Sequence, residues 1–333
     1  MGLVERAWGS PDAATAAVRH AVRTSLADLV PGNLVLVACS GGADSLALAA
    51  ATAFAAPSSG LRAGAVVVDH GLQPGSAQVA LATREILRGL GLDPVDLVAV
   101  DVAATGAGPE SAARDARYAA LDAAADRHGA DAVLLGHTLD DQAEQVLLGL
   151  TRGSGARSLS GMPGARGRFR RPLLAVSRAQ CRASASAQAL PFWDDPMNDD
   201  PAFTRVRARR ALADLERDLG PGVATALART ASLLREDADH LDGLADVAVG
   251  ALGPQPWAVE PLTGIPRAVR TRVWRRLLLA AGASAGQLGS RHTDACDALL
   301  TAWHGQGPVS APGPLAVSRS GGRVSIAAQA PVE

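Results

Sequence analysis

The chain contains no lysine, so all 32 of its basic residues are arginine. Together with abundant alanine and glycine, this reads as a high-GC coding bias rather than a mechanism. It nevertheless excludes a Walker A loop, which needs a lysine beside its phosphate-binding hydroxyl. Cysteine is scarce, and Cys39, Cys181 and Cys296 form neither a C-x-x-C pair nor a disulfide framework, as expected in a reducing compartment. No apolar run is long enough to span a bilayer. The first residues carry Glu5, Arg6 and Asp12 with no apolar segment, so no signal peptide is expected and the protein is expected to be cytoplasmic. A formal net charge of −1 gives no general attraction to nucleic acid, so any such attraction must be local. At 333 residues, 48% of them hydrophobic, the chain can bury a large core and is expected to form two domains.

What the chain does have is a strand, a tight polar loop and a helix start in succession. Leu34 to Ala38 is apolar and rich in β-branched residues, with the length of a strand covered on both faces. Ser40-Gly41-Gly42-Ala43-Asp44-Ser45 follows and runs into the helical Leu46 to Ala50. Glycines at 41 and 42 permit positive φ and close approach of an anion. A helix N-terminus adds unpaired N–H groups and the positive end of its dipole. Together these make a phosphate cradle. The adjacent glycines do not fit the dinucleotide pattern G-x-G-x-x-G; S-G-G-x-D-S resembles the PP-loop of ATP pyrophosphatases. An ordinary Gly-Gly turn is the plainer alternative.

From Ser10-Pro11, a good cap and first position, a helix is expected to about Leu29. Downstream of the loop, strands are expected at 63–68, 95–100 and 132–135, alternating with helices at 75–91 and 110–128. This alternation predicts an α/β fold with a doubly wound parallel sheet, with ligands outside the carboxyl ends of the strands. Polar clusters fall at those ends. Asp69-His70-Gly71 follows the second strand, where a nucleotide crossing the sheet would pass Val67 and Asp69, or where the chain simply turns. In Glu110 to Tyr118, Arg114 and Arg117 lie on neighbouring helical positions, either salt-bridged at the surface or with an arginine reaching a phosphate. In Gly136-His137-Thr138-Leu139-Asp140-Asp141, Thr138 is a natural N-cap for a helix with acids in its first turn. His137 is not explained by that, and a helix beginning early would place it on one face with Asp141.

Between Gln145 and Trp193 there is no acidic residue but eight arginines, including Arg168, Arg170 and Arg171 beside Phe169 on a glycine-rich segment. An aromatic among arginines suits phosphate contact and base stacking, so this region is expected to meet RNA. Arg205 and Arg209 lie four apart on the next helix, either gripping phosphates or salt-bridged to the acidic stretch 194–200. Beyond about Leu215 the pattern becomes mainly helical. Arg267 to Ala281 carries Val269, Val273 and Leu277 on one stripe, and the chain ends in a hairpin around Gly321-Gly322.

The ordered set 40–45, 68–72, 110–118 and 136–144, continued by Leu150 to Gly155, Gly161-Met162 and Arg171 to Leu174, resembles the tRNA(Ile)-lysidine synthetase family. The resemblance is close over about 33–210 and looser beyond. Met197 stands where the family usually has serine, and Val206 where it has asparagine. The resemblance implies a catalytic PP-loop domain over 1–215 and a smaller tRNA- and substrate-binding domain over 216–333. It implies that ATP adenylates the C2 oxygen of the wobble cytidine of a CAU-anticodon isoleucine tRNA, and that free L-lysine then displaces AMP to give lysidine. It further implies Mg²⁺ with Asp44 as the metal-side carboxylate, ATP contacts at Ser40, Gly41, Gly42, Ala43, Asp44, Ser45, Val67 and Asp69, and catalytic roles for Asp44, Arg114, His137 and Asp141. tRNA contacts fall to Arg168, Arg170, Arg171, Arg205 and Arg209. A homodimer is compatible with the sequence, which does not fix the oligomeric state. Two other classes stand beside this reading. One is a tRNA thiolase, whose cysteine or iron–sulfur chemistry the three scattered cysteines do not suit. The other is a non-catalytic ATP-sensing module, which would not need His137, Asp141 and an arginine-rich flank together.

Overall fold

The computed structural model describes residues 11–71, 73, 75–100, 109–153 and 155–329, with the backbone alone at 109–111, 198 and 199. The chain divides into two compact units, Met1–Ser232 and Leu233–Glu333.

The first unit is built on a six-stranded sheet. Its elements are α1 (Ala13–Leu26), β1 (Leu34–Ala38), α2 (Ala43–Ser58), β2 (Arg62–Asp69), α3 (Ser76–Gly89), β3 (Val95–Ala99), α4 (Pro109–His128), β4 (Ala132–Leu135), α5 (Leu139–Thr151), α6 (Ala156–Leu159), β5 (Ala165–Arg166), β6 (Phe169–Arg170), α7 (Arg178–Ala187) and α8 (Thr204–Leu219). The strand order is β3-β2-β1-β4-β6-β5, with every neighbouring pair parallel except the β5–β6 hairpin. Alternation along the strands sends side chains to opposite faces. Val35, Val37, Val67 and Leu134 pack with α1, α2, α3 and α7, whereas Leu34, Leu36, Val66 and Val133 pack under Leu121 and Ala124 of α4. Both faces are therefore covered, as a doubly wound sheet requires.

The expected strands and helices are present, with small shifts at their ends. The first helix is capped by Asp12, whose carboxylate accepts from the N–H groups of Ala14 and Thr15; Ser10, the cap expected from the sequence, lies outside the described residues. The carboxylate leads because it can accept both orphan N–H groups of the first turn at once. The β5–β6 hairpin was not expected: Gly167 takes the positive φ of +57° at its tip, turning the arginine-rich segment into an edge of the sheet.

In the second unit, β7 (Trp257–Ala258), α10 (Val259–Thr263), α11 (Arg267–Ala280), α12 (Ser290–Thr301), β8 (Val309–Ala311), β9 (Leu315–Ser320) and β10 (Arg323–Ala328) follow α9 (Val223–Ala251), which spans the division. The expected hairpin is β9–β10, extended on both sides to an antiparallel sheet ordered β7-β10-β9-β8. The stripe Val269, Val273 and Leu277 is buried, with Trp274 beside it. The arginines of α11 are used within the unit. Arg270 forms a buried bidentate pair with Asp297, Arg272 meets Asp242 at 3.0 Å, and Arg275 donates to the carbonyl of Leu288. No helix among the described residues is long and apolar enough to cross a membrane.

Candidate active site

The loop between β1 and α2 forms the floor of a cavity of about 780 Å³ at the carboxyl end of the sheet. Its shape depends on one glycine of the pair. Gly41 has φ of +86°, and a Cβ there would lie 2.4 Å from Oγ1 of Thr83, so a side chain would strain the backbone and displace Thr83. Gly42 is extended and stands as the N-cap of α2 without a side-chain cap, leaving the first-turn N–H groups for a ligand. Ser45 is buried and spent on the loop itself: its Oγ donates to the carbonyl of Gly42 at 2.9 Å and accepts from the N–H of Ser40 at 3.2 Å. Ser40, Ala43 and Asp44 are left at the cavity surface. At Gly136, the end of β4 passes so near α2 that an added Cβ would lie 3.3 Å from Cα of Ser45.

Acids gather beside this loop. Thr138 caps α5, and its N–H and hydroxyl both donate to Oδ2 of Asp141, at 2.7 and 3.0 Å, in a capping box. The other oxygen of Asp141 accepts from Arg178 at 2.9 Å. Arg178 also reaches Glu144 at 3.3 Å and Asp44 at 3.7 Å, and its N–H donates to Asp140 at 2.7 Å. Arg209 meets the same oxygen of Glu144 at 3.0 Å. Three carboxylates thus share two guanidinium groups, and a fourth, Asp140, is held by the backbone of Arg178. Burial, only partly offset by Arg178 and reinforced by Asp141 and Asp140, pushes the Asp44 carboxyl up to about 6. Oδ1 of Asp44 is buried with no partner among the described residues. Such an oxygen is normally satisfied, so the position fits a cation brought by a ligand.

The other end of the cavity is apolar with polar points. Val66, Val68, Leu121 and Leu135 line it beside His70, Arg117 and His137. Nδ1 of each histidine and Nε of Arg117 are buried without partners among the described residues. Burial, offset only in part by Asp141 and reinforced by Arg171, Arg117 and Arg205, pushes His137 down to about 3. Burial therefore favours the neutral imidazole.

Several expected residues stand elsewhere. Val67 lines the core on the opposite face of the sheet, since neighbours along a strand alternate, so Val66 and Val68 face the cavity in its place. The Asp69 carboxylate is turned back to accept from the N–H of Gly71 at 3.0 Å. Arg114 lies on the neighbouring face of α4, stacked over Tyr118, while Arg117 occupies the cavity. His137 precedes the helix rather than sharing a helical face with Asp141, because Thr138 is the cap. Arg168 pairs with Asp126 at 2.7 Å, Arg170 is bidentate to Asp28, and Arg171 is buried. Glu144 and Arg178 are functional candidates that sequence reasoning did not single out, whereas Arg117 and His70 stood in the polar clusters named above without a role of their own. Of the first two, Glu144 carried a signal, three residues after Asp141 on the same helix.

Residues 15–216 match the family described as the PP-loop domain, and residues 258–325 match the TilS substrate binding domain. A tRNA(Ile)-lysidine synthase from Thermobifida fusca is 56% identical over 96% of this chain and 99% of its own length. One from Streptomyces coelicolor is 58% identical over 88% of this chain and 85% of its own. Among solved structures, the U34-tRNA thiolase NcsA from Methanococcus maripaludis, described with its [4Fe-4S] cluster, matches with a TM-score of 0.56 at 20% identity. That match covers 67% of this chain and 80% of the thiolase, a likeness of fold alone. The cavity, the PP-loop beneath it and this degree of identity along nearly the whole chain leave one assignment: the chain belongs to the tRNA(Ile)-lysidine synthase family.

Proposed function

We propose that the protein is an ATP-dependent ligase that joins L-lysine to C2 of the wobble cytidine in a CAU-anticodon isoleucine tRNA. One observation carries the reading. An anion-binding loop and a surplus of carboxylates share a single cavity, as a reaction between a nucleotide and a cationic amine requires. The N–H groups around Gly42 and the start of α2 hold the triphosphate, and the extended backbone at Gly42 lets it approach. Asp44, with its unpartnered Oδ1, would hold Mg²⁺, which when bound offsets the charge of the departing pyrophosphate. The apolar end, walled by Val66, Val68 and Leu121, takes a base, which Arg117 and the neutral His137 orient by hydrogen bonds.

Two steps follow. The C2 oxygen of the cytidine attacks the α-phosphorus, pyrophosphate leaves, and Arg117 stabilises the charge that develops. The amine of lysine then attacks C2 and AMP leaves. A protonated ammonium has no lone pair, so it must lose a proton first. Asp140 and Asp141 attract the ammonium to this end, and the proton is taken up among the carboxylates there. His137, whose burial disfavours the charged form, is assigned to positioning the nucleobase rather than to taking that proton. Arg209, which lines the cavity, and Arg205, one turn earlier on α8, are assigned to tRNA contact, as is the second unit, which matches a substrate binding domain.

The test is mass spectrometry of an isoleucine tRNA transcript after incubation with ATP and isotopically labelled lysine. Label on the wobble cytidine, with AMP formation that needs both tRNA and lysine, is the expected result. Sulfur transfer in place of lysine would establish the thiolase class, and ATP binding without turnover a sensing module.

A further inference from the structure

We infer that a second cavity, on the outer side of α4, is a subsite for the tRNA nucleotide flanking the one in the catalytic cavity, and that Arg114 serves it. The inference rests on the lysidine reading for the identity of the RNA. The cavity measures about 600 Å³ and lies between α4 and the β5–β6 hairpin. Arg114, Arg166, Arg168 and Arg171 line it against Asp115 and Asp122. Arg168 is already neutralised by Asp126 and Asp122, at 2.7 and 3.6 Å. Arg114 and Arg166 meet no carboxylate among the described residues, so their charge is available to a ligand.

Two further features specify the ligand. Arg171 is 7% exposed; it donates to the carbonyl of Pro163 at 3.0 Å and to the hydroxyl of Tyr118 at 3.2 Å, yet its buried Nε has no partner. A buried donor in that state is normally satisfied, and a phosphate oxygen would do so. Tyr118, the only tyrosine of the chain, packs edge-on against Phe169 with ring centroids 4.9 Å apart, and the Arg114 guanidinium sits 5.0 Å over the Tyr118 ring. Cations that lack counterions beside an aromatic platform suit a phosphate joined to a planar base.

The position gives the register. Arg114, Tyr118 and Asp122 recur every four residues along one face of α4, while Arg117 and Leu121, one step around the same helix, line the catalytic cavity. A helix is about 10 Å across, so a strand with one base in the catalytic cavity reaches the outer cavity with a near neighbour. An anticodon loop, whose bases can be splayed apart, has that freedom.

The experiment uses the full chain with Arg114→Gln and Arg166→Gln, neither of which breaks an ion pair with a carboxylate in the described fold. Each is expected to raise KM for the tRNA transcript about tenfold, as for a lost charge-assisted contact, with kcat at saturating tRNA and KM for ATP little changed. Binding of the isolated anticodon stem-loop, read by fluorescence anisotropy without ATP or lysine, should lose about 0.7 of its log–log salt slope per arginine removed. Wild-type affinity and salt slope in both variants would overturn the subsite while leaving lysidine formation standing. Loss of kcat with unchanged KM for tRNA in Arg114→Gln would return that arginine to the adenylate and also overturn it. If the wild type bound the stem-loop, the variants weakened it, and no lysidine formed, the subsite would stand and the reaction assignment would fall.

Discussion

Replacing Asp44 by asparagine preserves the side chain's shape and removes a charge that sits poorly in the fold without its ligands. The carboxylate is 26% exposed, lies near Asp140 and Asp141, and has its nearest cation, Arg178, at 3.7 Å. Its pKa of about 6 against the usual 3.8 means that the folded state holds a proton there which the unfolded chain has already released. At about 1.4 kcal/mol per pH unit, the displacement is roughly 3 kcal/mol against the folded state above pH 6. Partial solvent screening and relaxation bring this to about 2 kcal/mol. The sign follows from linkage: between about pH 4 and 6 the folded state binds more protons, so this group's contribution becomes less favourable as pH rises through that window. Asp44→Asn should therefore melt higher than wild type at pH 8, by roughly 4–8 °C for a unit of this size. The gap should close as pH falls towards 4, while AMP formation is lost at every pH. Thermal denaturation of both proteins in chelator, at pH 8 and pH 4.5, reads the difference directly. An asparagine variant that melts below wild type at pH 8, or whose advantage is the same at both pH values, would refute the reasoning.

Gly41→Ala should cost about 3 kcal/mol, from the left-handed backbone and the overlap with Oγ1 of Thr83. Adding Thr83→Ala should recover the overlap but not the backbone part, both read as melting temperatures. In the second unit, Arg270→Ala strands the buried carboxylate of Asp297 and should cost about 3–5 kcal/mol. Limited proteolysis should then cut within 233–333 first, and Arg270→Met with Asp297→Leu should restore resistance. Cleavage as slow as in wild type after the single substitution would show that the pair contributes little.

The sheet was legible in the sequence because its strands are short apolar runs closed by polar turns, and each such run has one physical solution between flanking helices. The phosphate loop was legible for a similar reason: adjacent glycines between a strand and a helix leave few conformations, and Gly41 adopts the one only glycine allows. The side chains that close the cavity were less so. Whether Val67 or its neighbours face a ligand depends on strand phase, which an unbroken apolar run such as Ala65 to Val68 does not reveal. Arg114 and Arg117 both look like candidates for a phosphate, and only the rotation of α4 against the sheet separates them. The β5–β6 hairpin escaped notice because two-residue strands carry no periodicity. Arg178 looked like one of eight arginines in an acid-free stretch, and its role arises because α7 returns to α2, bringing it against Asp44 and Asp141.

That return also explains why so many acids are tolerated in one cavity. Asp44, Asp140, Asp141 and Glu144 would repel one another across a low-dielectric interior, and Arg178 and Arg209 offset only half of their formal charge. A further arginine placed among these four acids would have stabilised them and, on the proposed reaction, would compete with the incoming amine. On the proposed reaction, the residual negative charge would favour a cationic nucleophile over a neutral one and a metal-bound triphosphate over a bare one. It would then act on both proposed substrates before any specific contact forms. The expense appears in the Asp44 carboxyl, held near 6 when neither is bound. A site whose charge is balanced only with its substrates in place is preorganised for them, and the stability it forgoes when empty is the measurable trace of that design.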